Sequence, residues 1–217
     1  MSLFWLRRPH VPLLVLLLAA VAIYPAVEPF PVGRWILNLA VVSGVTFSLV
    51  RVHTSRRRLQ AVAACGAVAI AGQALHLFAG MEGAGLVSAF AQAAFYGTAA
   101  SLEVGYMLRD TRATLDELFA AGVAFLLLTL AWACAYWIVE SLAPGSFSLA
   151  HPSHTGGPTW FELYYLSATT LSTTGFGDIL PVTSAARAVV ILEQLAGVLY
   201  VALVISRIAG FAARSTR

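Results

Sequence analysis

From Leu118 to Val139 no side chain carries a charge. No other feature constrains the fold as strongly, because about 18 to 20 apolar residues in a helix suffice to cross roughly 30 Å of hydrocarbon. Further apolar segments place spanning helices at about Val11 to Val27, Trp35 to Val50, Leu59 to Ala79, Leu86 to Leu108, Leu118 to Leu142 and Ala185 to Ile208. Hydrophobic residues are 59% of the sequence and charged ones 11%, outside the range of soluble domains. The alternating pattern of a membrane β-barrel strand is missing from these segments. The expected fold class is an all-α membrane protein with six transmembrane helices.

Six crossings put both ends on one side, and arginine says which. The chain has no lysine; Arg7, Arg8, Arg51, Arg56, Arg57, Arg58, Arg109, Arg112, Arg207, Arg214 and Arg217 cluster at the first end, after spans two, four and six, and in the tail. Arg34 and Arg187 fall opposite. Basic loops stay in the cytoplasm, so both termini are expected there, in a cell (inner) membrane. The same reasoning takes "HTSRRR" as an orientation signal and expects no nucleic-acid partner. The first apolar run is read as a helix rather than a cleaved leader, because Pro25, Glu28 and Pro29 make a poor cleavage site. Cys65 and Cys134 lie inside spans and have no partners at ligand or disulfide spacing.

The chain divides into a four-helix part, 1–108, and a second part, 109–217. In the first, Gly66, Gly72, Gly97 and Gly105 would let helix backbones approach closely. Thr114 and Glu117 form the S/T-x-x-E pattern that starts span five after a short linker, Leu108 to Ala113. Beyond Leu142, "APGSFSLAHPSHTGG" reads as loop. Pro158 suits a first helical position, and "PTWFELYYLSATTL" continues without a breaker. Its roughly 21 Å is too short to cross, so it should enter the membrane and turn back as a re-entrant pore helix.

At the turning point stands "LSTTGFGDILP", residues 171–181. Irregular backbone at membrane depth is tolerated only where protein buries it or it lines a water-filled cavity. A cation leaving water needs replacement oxygens, and backbone carbonyls are a neutral source of them. Aligning consecutive carbonyls demands angles that Gly175 and Gly177 adopt freely. Thr173 adds a hydroxyl, and the negative end of the preceding helix favours a cation.

"TTGFGD", with "DILPVTSAARAVVILEQLAG" after it, resembles the filter and inner helix of the potassium-channel pore family, over about Leu118 to Gly210. The resemblance implies a tetramer of identical chains that conducts K+ passively, with no organic cofactor. It implies ion sites at Thr173, Thr174, Gly175 and Phe176, with Gly177 completing the filter and Tyr165 supporting Asp178. Gly197 is a candidate hinge. Thr174 stands where the family usually has valine, and Phe176 where it has tyrosine, which keeps a weakly selective monovalent cation channel as an alternative.

Helical spacing puts Gln194, Val198, Val201 and Ile205 on one stripe, read as cavity lining. Glu193 lies beside it with Gly197 and Tyr200. A charge near mid-span is costly, so Glu193 is expected to be buried against the pore helix or filter, bonded to hydroxyls of "SATTLSTT" or to filter amides. His151 and His154 are read as solvated, not as metal ligands. Span four lacks an arginine ladder and carries Glu103, so strong voltage gating is not expected. With the sequence ending at Arg217, a cytoplasmic ligand-sensing domain is not expected. A transporter subunit would carry four such loops, and an enzyme or scaffold would need a reactive constellation that the spans do not offer, so no enzymatic activity is expected.

Overall fold

A computed structural model describes residues 10–51, 55–108, 115–151 and 154–215. Among them seven helices follow in order: α1 (His10–Val27), α2 (Pro31–Arg51), α3 (Arg56–Ala79), α4 (Glu82–Met107), α5 (Leu115–Leu142), α6 (Trp160–Leu171) and α7 (Ser184–Ser215). Two strands, β1 (Phe147–Leu149) and β2 (Ile179–Pro181), lie between α5 and α7. The helices α1, α2, α3, α5 and α7 are long and apolar enough to cross a membrane.

Helix α4 is as long as these but less apolar, for a reason visible in its burial. Ser88, Gln92, Tyr96 and Glu103 are buried, while Val87 and Phe90 are exposed. These polar groups, at four- and seven-residue spacing, therefore share the bundle-facing side of α4 with the buried Phe95, Ala99 and Ala100.

The main core is built by five helices. Leu17 of α1, Val45 of α2, Val62 of α3, Phe95 of α4 and Leu127 of α5 belong to one buried cluster. Packing is thus continuous across position 108. Where helices approach closely, glycine permits it: a Cβ on Gly66 would lie 2.8 Å from Val42, and one on Gly72 3.0 Å from the Ala84 carbonyl. Gly97 and Gly105 meet nothing within 4 Å, so the expectation that they serve close approach is corrected.

Three local readings change. The short helix α6 begins at Trp160, not Pro158, because Thr159 accepts from the Glu162 amide and Glu162 reaches back to the Thr159 amide. That reciprocal cap satisfies two helix-end donors and fixes the start two residues beyond the proline. The loop before it contains β1, paired antiparallel with β2 in the register Phe147↔Pro181, Ser148↔Leu180, Leu149↔Ile179. Thr114, the proposed cap of α5, and most of the linker lie outside the described residues.

Candidate functional site

Helix α6 ends at Leu171, and the next six residues are exposed. The backbone changes hand at every second position: φ is +60° at Thr173, +56° at Gly175 and +77° at Gly177. Glycine carries no penalty there, whereas Thr173 is the lone non-glycine residue with positive φ among the described residues.

The amides explain what this conformation achieves. Thr173 N–H donates to Thr170 O at 3.0 Å, and Thr174 and Gly175 N–H both donate to Thr169 O at 2.8 and 3.1 Å. In a trans peptide the carbonyl points opposite to the following N–H, and there are no cis bonds. The carbonyls of Ser172, Thr173 and Thr174 are therefore turned away from α6. Because the amides are used up on the helix end, a row of free oxygens faces outward.

The exit of this segment is tied down. Ala150 N–H donates to Asp178 O at 2.8 Å, and Val182 N–H to Ser146 O at 2.8 Å, extending the β1–β2 ladder at both ends. Glu140, at the end of α5, accepts from the amides of Gly145 at 2.7 Å and Phe147 at 3.0 Å, holding β1 in place. The Tyr165 hydroxyl bonds the Asp178 carboxylate. The Tyr165 ring stacks on Phe176, with centroids 6.2 Å apart. Thr174 Oγ1 lies 2.8 Å from Ser172 Oγ.

Behind the segment Glu193 is fully buried. Tyr136 of α5 donates to its Oε2, and Ser167 of α6 lies 2.5 Å from its Oε1. Ser167 also reaches Thr129 O at 2.9 Å, and Tyr136 bonds Thr170. The expected hydroxyl partner in "SATTLSTT" is Ser167, but filter amides are not partners; Thr169 and Thr170 carbonyls already hold them. Tyr136 and Thr129 were not anticipated. They stand seven residues apart on α5, a two-turn spacing that could have marked a shared face.

On α7 Ala186, Val190, Glu193, Gly197 and Tyr200 are buried. Gln194, Val198, Val201 and Ile205 are exposed, but so are Ile191, Leu192, Leu195 and Leu199, so exposure does not single out the stripe. A Cβ at Gly197 would lie 2.5 Å from Leu171 O, so bare backbone at this position lets α7 cross the end of α6. The helix continues through it. His154 is not simply solvated: its Nε2 lies 3.1 Å from Glu162, the cap residue of α6. Among the described residues no group of three ligands could hold a metal.

Residues 121–214 match a family model described as "Ion channel". Over that segment, which is less than half of the chain, the sequence is similar to the potassium-channel type of ion-channel pore. Together with the apolar helices it makes the protein a multi-pass membrane protein. No curated protein and no solved structure gives a match.

Proposed function

We propose that the protein is a potassium-selective channel in which four identical chains surround one axis. Six helices cross an inner membrane with both termini cytoplasmic, α6 is the re-entrant pore helix, and residues 1–108 and 109–217 are the bundle and pore parts. The observation that carries this reading is the alternating hand of residues 173–177, with amides held by the end of α6 and carbonyls turned outward. One such row is one side of a pore, and four rows would replace the hydration oxygens of a K+ ion.

In this reading the carbonyls of Thr173, Thr174, Gly175 and Phe176, with the Thr173 hydroxyl, bind the ions. Gly177 completes the turn. Asp178 and Tyr165 brace the outer end, and Glu193 braces α6 from behind. Gln194, Val198, Val201 and Ile205 line the inner cavity, and Gly197 is the hinge candidate. Without an arginine ladder on α4, opening does not follow voltage steeply. Transport is passive, with no enzymatic step.

Flux through the purified protein in liposomes tests this. Potassium should permeate clearly better than sodium, and the assembled particle should have the mass of four chains. Equal reversal potentials would favour a weakly selective cation channel, a reading that Thr174 and Phe176 support. Absence of flux for both ions, or a dimeric particle, would overturn the proposal.

A further inference from the structure

Apart from the 172–177 segment, helices α1–α6 line a partly open cavity of about 400 Å³. Its size falls within the roughly 300–1,000 Å³ typical of small-molecule sites. Along α5 it extends from Leu126 to Trp137, about 16 Å at the helical rise.

The polar lining is rich in donors. Asn38 donates to Gln73 Oε1 at 2.8 Å, Tyr96 to Asn38 Oδ1 at 2.9 Å, and Gln92 to Ser88 Oγ at 3.0 Å. Each amide nitrogen has two hydrogens. After these bonds Asn38 and Gln92 each retain one and Gln73 retains both, with no protein acceptor among the described residues. Arg34 adds a cationic fork and hydrogen-bonds Tyr24. The rest of the lining is His76, aliphatic side chains such as Leu17, Val41 and Leu130, and an aromatic group where α1 meets α6. Tyr24 stacks on Phe161 with centroids 5.0 Å apart at 9°, and Trp160 on Tyr164 at 5.6 Å and 11°.

We propose that this cavity binds a small planar aromatic anion bearing acceptor oxygens, of the aryl carboxylate class. Acceptor oxygens pair the surplus amide hydrogens, the negative charge pairs Arg34, and the ring lies against aromatic faces. An alkyl chain would fill the volume but leave the amide hydrogens unmatched. The site stands on the cavity alone and does not depend on the pore reading.

The probe is 2-naphthoate, titrated onto the full chain in lipid nanodiscs and followed by tryptophan emission, since Trp35, Trp137 and Trp160 line the cavity. The expected result is saturable quenching, with apparent affinity weakened about tenfold or more by Arg34→Gln and by Gln73→Leu, and retained within a few fold by Arg34→Lys. Uncharged 2-methylnaphthalene should bind at least tenfold more weakly. Non-saturable quenching, or equal affinity in all variants, would mean partition into lipid and overturn the proposal. Displacement of the probe by dodecanoate at matching affinity would assign the cavity to an alkyl chain and overturn it as well. Loss of binding in Arg34→Lys together with Arg34→Gln would remove the role given to charge.

Discussion

At residues 172–177 the polar groups are backbone atoms turned outward, whereas in the bundle they are side chains turned toward one another. Both regions place polarity within apolar sequence, where unmatched groups are costly. In the loop the amides are consumed by Thr169 and Thr170, leaving carbonyl oxygen surplus. In the bundle Asn38, Gln73, Gln92 and Tyr96 bond to one another or to Ser88, leaving hydrogen surplus. The first arrangement suits a cation and the second an acceptor, and the contrast follows from which half of the hydrogen-bonding inventory the fold has used.

The sharpest way to break this comparison is to attack the backbone. Gly175→Ala and Gly177→Ala each force a Cβ into positive φ, about 1–2 kcal/mol of strain per chain. Liposome flux should be abolished in either variant, and normal flux would mean that the loop is not the conduction path. Next comes the support behind it. Glu193→Ala takes the acceptor from the Tyr136 hydroxyl and leaves Ser167 only Thr129 O, a loss of about 1–3 kcal/mol in thermal unfolding with reduced flux. Glu193→Gln keeps an acceptor and offers donors, so it should assemble and conduct with a smaller change. Ser167 has one hydrogen for two neighbours, Glu193 and Thr129 O, and an amide hydrogen at position 193 relieves that shortage.

Two smaller effects sharpen the bundle side. Gly66→Leu should destabilise by about 1–3 kcal/mol through overpacking against Val42 and Phe95, while Gly97→Ala, with open space around it, should be neutral or gain up to about 1 kcal/mol. Thermal unfolding of the two separates packing glycines from incidental ones. Tyr96→Phe removes one hydrogen bond to Asn38 and should lower stability by about 1 kcal/mol without altering flux. A large flux change in that variant would show that the bundle network and the pore are not independent.

The left-handed turns at Gly175 and Gly177 were legible because such backbone favours glycine. The burial of Glu193 was legible too, from the energy of a mid-span charge. Its partner Tyr136 was not, since a tyrosine 57 residues away acquires meaning only when α5 packs on α7. The β1–β2 ladder escaped notice because three-residue strands are too short to establish a period, and Pro181 argues against one. The cavity left no sequence signal at all: Asn38, Gln73 and Gln92 sit on three helices, and isolated amides in apolar spans look alike whether they meet or not.

The central claim is that carbonyls of residues 173–176 are the ion ligands. Carbonyl-labelled protein at Thr173, Thr174, Gly175 and Phe176, assembled in lipid and compared in K+ and Na+ by solid-state NMR, tests it most directly. We predict that these four carbonyl resonances move when K+ replaces Na+, while Ala69 and Ile70 carbonyls, which accept from Ser88 and Trp35 in the bundle, stay fixed. Resonances at 173–176 that ignore the identity of the cation would contradict the account.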